Sequence, residues 1–132
     1  MADLIRLEVV TPEKEVFSAM VESFVFPSVM GSTGVLYNHA PLLTVLEPGV
    51  ITYKKDNTEG KLAVSNGFLE LKNNVAEILV SSAELSEDID KARAEAAAER
   101  ARERLHDKSE NIDHVRAEAA LKRAMARLKA LQ

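Results

Sequence analysis

Residues 84 to 132 read ELSEDIDKARAEAAAERARERLHDKSENIDHVRAEAALKRAMARLKALQ, a stretch with no glycine, no proline and no aromatic ring. Alanine, arginine and glutamate dominate it, and these residues give up little freedom in a helix. The turn-formers all lie upstream, at Pro12, Pro27, Gly31, Gly34, Pro41, Pro48, Gly49, Gly60 and Gly67. Two units joined end to end follow from this, a turn-rich one over 1–84 and a helical one over 85–132. In the second unit, Ser86 is expected to cap a first helix, with Glu87, Asp88 and Asp90 placing negative charge at its positive end. That helix is expected to run to about Leu105, where the alanine pattern lapses, and Ser109 or Asn111 then caps a second helix ending near Leu131. The short link implies an antiparallel two-helix hairpin.

Upstream, the apolar residues come in short, β-branched or aromatic runs, each ended by a turn signal. Ile5, Leu7 and Val9 alternate with Arg6 and Glu8, and Val21 to Pro27 leads to a turn at Gly31-Ser32-Thr33-Gly34. Leu42 to Leu46 stops at Pro48-Gly49, and Val50 to Lys54 enters a polar loop from Lys55 to Gly60. Lys61 to Ser65 and Phe68 to Lys72 follow, and Val75 to Ser81 lies beyond the turn Asn73-Asn74. Nine or ten short strands without intervening helices predict a β-sandwich or barrel with one modest core.

Composition narrows the function. With no cysteine there is no disulfide framework, thiolate nucleophile or cysteine metal site. His39, His106 and His114 have no metal-ligand spacing, and neither a glycine-rich phosphate loop nor a nucleophile elbow is present. A catalytic role is therefore not expected, and each histidine reads as structural or exposed. The net charge is −4, and the helical unit balances its basic and acidic residues, which argues against nucleic acid as a partner. The start MADLIRLEVV is interrupted by Asp3, Arg6 and Glu8, unlike a secretion signal, so an intracellular protein is expected.

The hairpin holds on weakly. Beyond Leu85, Ile89 and Leu105 the first helix offers mainly alanine, whose methyl contributes about 0.8 kcal/mol on burial against about 1.5–3 for a leucine. The second helix, with Ile112, Val115, Leu121, Met125, Leu128 and Leu131, is expected to pack better. Arginines are spaced for one face: Arg93 and Arg100 on the first helix, Arg123 and Arg127 on the second. If the chain turns at about residue 108, Arg93 lies level with Arg123 and Asp90 with Arg127, at the open end of the hairpin. Stacked guanidinium forks of this kind suit a polyphosphate, with Asp90 and Glu84 beside them. The competing reading is a solvated salt-bridge face, Asp90 with Arg93 and Glu99 with Arg102.

The segment Ile89-Asp90-Lys91-Ala92-Arg93-Ala94 resembles the I-D-x-x-R-A signature of the epsilon subunit of bacterial F-type ATP synthases. Three further segments resemble the same family in the same order: Gly31 to Leu36 with His39-Ala40-Pro41-Leu42-Leu43, Val64 to Glu70, and Ala120 to Ala124. The resemblance implies a noncatalytic rotor subunit in which a ten-stranded β-sandwich attaches to the gamma subunit and the membrane rotor ring. It implies that the C-terminal hairpin either folds on the sandwich or extends to the alpha and beta subunits of the catalytic head and blocks ATP hydrolysis. ATP would be a regulatory ligand that favours the folded state, with magnesium left open, and the protein would lie peripherally on the cytoplasmic face of the bacterial membrane. Carried over residue by residue, the ATP contacts fall on Glu84, Ile89, Asp90, Arg93, Ala94, Arg100, Arg123 and Arg127. A stand-alone ATP-sensing protein is the alternative. The chain departs from the family at Tyr37-Asn38, where proline and glycine are usual, and at Asn66, usually glycine, where asparagine's tolerance of positive φ is expected to preserve the turn.

Overall fold

Strand alternation at Ile5, Leu7 and Val9 buries all three completely on one face of β1 (Ile5–Val10). The computed structural model describes residues 3–109 and 112–132, among which nine more strands follow. They are β2 (Glu15–Val21), β3 (Ser23–Ser28), β4 (Gly31–Leu36), β5 (Leu42–Leu46), β6 (Gly49–Lys55), β7 (Thr58–Val64), β8 (Gly67–Lys72), β9 (Val75–Val80) and β10 (Ala83–Leu85). The sheet runs β10-β7-β6-β3-β5-β8-β9-β1-β2, with β4 paired to β3, and every pairing is antiparallel except β1 with β9. Its two ends curl together, so that β2 lies against β6 and β10 and the inward side chains close one core. Phe24, Phe26, Leu46, Ile51, Leu62, Leu69 and Ile78 are buried there.

Turn chemistry explains where the strands stop. Asp56-Asn57 (φ 51° and 62°) and Asn73-Asn74 (φ 52° and 62°) are two-residue loops with both residues at positive φ, the type I′ geometry that matches strand twist. The expected loop from Lys55 to Gly60 thus contracts to two residues, and Thr58 to Gly60 join β7. The expected turn at Gly31 to Gly34 is instead β4; the reversal sits at Val29-Met30, where Ser28 Oγ donates to the Gly31 carbonyl (2.8 Å) and accepts from the Met30 N–H (3.2 Å). Only Gly31 uses a glycine conformation there (φ 103°), and the β-branched and small residues after it pair along β3. Asn38, standing where the resembled family carries glycine, takes φ 64° and clasps Asn74 through two hydrogen bonds (2.7 and 3.2 Å). Asn66 does not use positive φ, contrary to expectation. What its neighbour Gly67 provides is close approach, because a Cβ there would stand 2.0 Å from the Leu79 carbonyl oxygen.

Beyond β10 a single 3₁₀ turn (Ser86–Asp88) leads to helix α1 (Lys91–His106), and α2 (His114–Ala130) follows. Ser86 opens the 3₁₀ turn and does not cap α1; Asp90 does, its carboxylate accepting from the Arg93 N–H at 3.1 Å. Asp113 caps α2 in the same way, through the Arg116 N–H at 3.1 Å, in place of Ser109; the other expected cap, Asn111, lies outside the described residues. Each capping aspartate is itself extended (φ −83°) and accepts from the amide three residues on, and in both cases it is the last such residue before the alanine run.

Every buried residue of the two helices is alanine: Ala94, Ala98 and Ala101 on α1, Ala117, Ala124, Ala126 and Ala130 on α2. The second helix does pack better than the first, as expected, but through alanines and not its larger side chains: Val115, Met125 and Leu131 are exposed and Leu121 and Leu128 only half-buried. Small side chains let the backbones approach, which turns the larger ones outward. Only α2 packs substantially on the sandwich, over β6 and β7, where Ala126 and Ala130 meet Val50, Ala63 and Ile89. At about 0.8 kcal/mol per buried methyl, this contact is small beside the sandwich core.

Tyr53 connects the two units electrostatically. Its ring packs on Phe17 (centroids 4.6 Å apart) and over Gly60. Burial pushes its phenol above the ordinary 10.0, and the Glu87 carboxylate of the 3₁₀ turn adds to the shift. The folded state therefore holds this proton more tightly than the unfolded chain, and the associated stability, complete below pH 10.0, is lost as pH rises through the folded-state value. In Tyr37→Phe, where Tyr53 is the remaining tyrosine, absorbance titration is expected to give a midpoint above 10.0, lowered but not abolished by Glu87→Gln. A midpoint at or below 10.0 contradicts the burial.

Candidate functional site

Helical periodicity places Arg93, Ala97 and Arg100 on one stripe of α1, with Ala94 beside it. That stripe forms one wall of a cavity of about 460 Å³. Glu84 from β10, Asp88 from the 3₁₀ turn and Asp90 at the start of α1 form another, and Arg127 of α2 completes the lining. The site is thus built from the last strand, the connecting turn and both helices.

Charges in the cavity are matched three to three, but they are not equally free. Glu84 is ion-paired with the Nε of Arg127, both side chains about one-third exposed, and the Asp90 carboxylate is engaged by the α1 backbone. Among the described residues the guanidiniums of Arg93 and Arg100 have no hydrogen-bond or ion-pair partner. Two free forks and a third held by an exchangeable carboxylate make a receptor for a polyanion, with carboxylates left over to accept hydrogen bonds.

Of the eight residues singled out from the sequence, six line this cavity: Glu84, Asp90, Arg93, Ala94, Arg100 and Arg127. Ile89 is buried behind it, at 9% exposure, in the contact between α2 and the sandwich. Arg123 is not part of the cavity's lining; it edges an adjoining recess with Ser65 and with Glu84 and Arg127, which the recess shares with the cavity. The expected facing pairs therefore change. Arg102 Nη2 meets Met125 Sδ at 3.3 Å, and Arg100 shares its cavity with Arg127, so level positions lie further along α2 than a turn at about 108 implies. The cause is that α1 ends at His106 and α2 does not begin until His114. The solvated-face reading holds for Glu99 with Arg102 (3.8 Å), whereas Asp90 binds a backbone amide and not the Arg93 guanidinium. Asp88 and Ala97 were not anticipated. Ala97 was legible as the residue between Arg93 and Arg100 on the same stripe; Asp88 was not, because its position depends on the 3₁₀ turn.

His39 Nδ1 lies 2.7 Å from the Ala40 carbonyl, and His114 Nε2 lies 2.7 Å from the Asp107 carbonyl, closing the link between the helices. Among the described residues no helix is long and apolar enough to cross a membrane.

Comparison with known proteins covers almost the whole chain. Residues 4–86 match the family described as ATP synthase, Delta/Epsilon chain, beta-sandwich domain, and residues 87–132 match its long alpha-helix domain. A protein of Pelotomaculum thermopropionicum named ATP synthase epsilon chain is 54% identical over 125 residues, 95% of this chain and 93% of its own. A protein of the same name from Carboxydothermus hydrogenoformans is 50% identical over 105 residues, 80% of this chain and 78% of its own. Among solved structures, a chain of the Euglena gracilis mitochondrial ATP synthase superposes with a TM-score of 0.85 at 22% identity, covering 98% of this chain and 82% of that one. At that identity the likeness concerns the fold.

Proposed function

The chain belongs to the ATP synthase delta/epsilon family and is a noncatalytic subunit of that assembly, and from this premise we propose that ATP, bound in the Arg93–Arg100–Arg127 cavity, holds its helical hairpin on the sandwich. The observation that carries this reading is the composition of the cavity wall. A ligand there touches β10, the 3₁₀ turn, α1 and α2 together, so it binds the docked arrangement and loses most of its partners if the helices leave. Arg93, Arg100 and Arg127 hold the phosphates, Arg127 exchanging its Glu84 partner for the anion, and Asp88 or Asp90 accepts hydrogen bonds from the nucleoside. Arg123 lies one step beyond Arg127 and contributes less.

Energetics support a switch. Docking rests on a handful of small side chains, so docked and released hairpins differ by little. A ligand at about 100 times its dissociation constant adds about 2.7 kcal/mol to the state it prefers, enough to decide between them. Released, the helices extend to the alpha and beta subunits of the catalytic head and restrain ATP hydrolysis; docked, they leave it free. The sandwich serves as the rotor attachment to the gamma subunit and the membrane ring, which places the protein peripherally on the cytoplasmic face. Its outer sheet face supports that role: Val45, Phe68 and Leu79 sit in register across β5, β8 and β9, with Leu43 beside them, and these four are 46–72% exposed.

Titration calorimetry of the full chain is expected to show saturable one-to-one ATP binding that Arg93→Ala/Arg100→Ala abolishes without altering the circular dichroism. No heat and no competition up to cellular ATP concentrations removes the nucleotide reading. Copurification with the gamma subunit separates a rotor subunit from a stand-alone sensor.

A further inference from the structure

We propose that the groove between α2 and the sandwich takes a medium-chain alkyl carboxylate, its head group on Lys122 and its chain against apolar side chains of both units. The groove encloses about 580 Å³, within the ordinary range of a small-molecule site. Leu121, Met125 and Leu128 of α2 form one wall, and Pro27 of β3, Pro48 before β6 and Val50 within β6 form the other.

The groove is a product of alanine packing. Ala126 and Ala130 seat α2 on Val50 and Ala63, and the larger side chains of the helix stand beside that contact without filling it. Met125 is 43% exposed, and Leu121 and Leu128 are half-buried. Two apolar walls thus face each other across the groove, and an apolar ligand removes both from water at once.

Charge at the rim selects the head group. Lys122 and Lys129 lie seven residues apart on one face of α2, against the single carboxylate of Glu47 in the lining. Neither ammonium has a hydrogen-bond or ion-pair partner among the described residues, and Glu118, one turn before Lys122, forms no ion pair with it. Lys129 stands in the last turn of α2, where the negative end of the helix dipole favours a cation and disfavours a ligand carboxylate. Lys122 is mid-helix, so the head group falls there. Arg102 of α1, which reaches Met125 Sδ at 3.3 Å, is already balanced by Glu99 at 3.8 Å.

The walls decide the rest of the ligand. They hold proline, valine, leucine and methionine but no aromatic ring, so nothing stacks on a planar base and a flexible aliphatic chain fits better. From Leu121 to Leu128 the helical wall runs about 10 Å, which suits a chain of medium length. Because one wall is helix and the other is sandwich, the ligand binds the docked hairpin and stabilises it. The groove shares no lining residue with the nucleotide cavity, so the site does not depend on the nucleotide reading.

The test is a titration of the full chain, isotope-labelled at its methionine methyls, with sodium decanoate below its micelle concentration and at constant ionic strength. The Met125 methyl is expected to move along a saturating curve, while Met30, 91% exposed at the β3–β4 turn, stays in place and controls for detergent-like association. Lys122→Glu is expected to weaken binding about tenfold or more, and Lys129→Glu no more than about threefold. Decanol, the same chain without the charge, is expected to bind severalfold more weakly, and decanoate is expected to slow amide exchange along α2. Met30 moving in step with Met125, full affinity for decanol or in Lys122→Glu, equal losses in the two lysine variants, or unchanged exchange along α2 overturns the proposal. If ATP fails to bind while Met125 still saturates with decanoate, the nucleotide reading fails and this one stands.

Discussion

Gly67→Ala is expected to unfold the sandwich, or to lower its stability by about 3 kcal/mol or more, a large part of the 5–15 kcal/mol typical of a domain. Gly67 pairs with Val80, and a methyl built on it stands 2.0 Å from the Leu79 carbonyl oxygen and 2.7 Å from the Val80 Cα. Both are backbone atoms of β9, and no side-chain rotation makes room. Relief requires β8 and β9 to separate, yet β8 also pairs with β5 and β9 with β1, so the strain falls in the middle of the sheet. Urea denaturation followed by circular dichroism measures the effect. An alanine variant with an unchanged midpoint contradicts the close approach. Because α2 rests on β6 and β7, a damaged sandwich is also expected to release the hairpin.

Arg127→Ala is expected to raise the dissociation constant for ATP about 10- to 100-fold, the loss of one charge-assisted fork. Arg123→Ala is expected to change it by no more than about threefold, because Arg123 lies outside the cavity. The first substitution also removes the Glu84 ion pair, but with both partners about one-third exposed that pair contributes no more than about 1 kcal/mol, so the fold survives. Calorimetry of the two variants side by side decides the matter. Equal losses restore Arg123 to the phosphate-binding set and displace the geometry argued above.

The sequence made the division near residue 84 plain, because the loss of glycine and proline is a local signal and helix propensity is a local property. Strand positions were legible for the same reason, and the Asn73-Asn74 turn announced itself. What stayed hidden depended on pairing. Gly31 and Gly34 look like a turn until β3 is there to pair with β4, and nothing near Gly67 says that a neighbouring backbone stands against it. In the site, Arg93 and Arg100 were legible from helical spacing alone. Where Arg123 and Arg127 sit across from them depended on the exact length of the link after His106, and a shift there moved Arg123 out of the cavity. Ile89, carried over from the resemblance, packs beneath the site as part of the docking contact, which spacing does not reveal.

The central claim is that ATP favours the docked hairpin, and it is tested most directly by a distance measured across the docking contact. The chain has no cysteine, so spin labels placed by Glu59→Cys on β7 and Glu118→Cys on α2 report that distance alone. With the labelled subunit in the assembled enzyme, double electron–electron resonance is expected to show a short-distance population that grows when ATP is added and does not grow in Arg93→Ala/Arg100→Ala. An unchanged distance distribution in a subunit that binds ATP contradicts the claim.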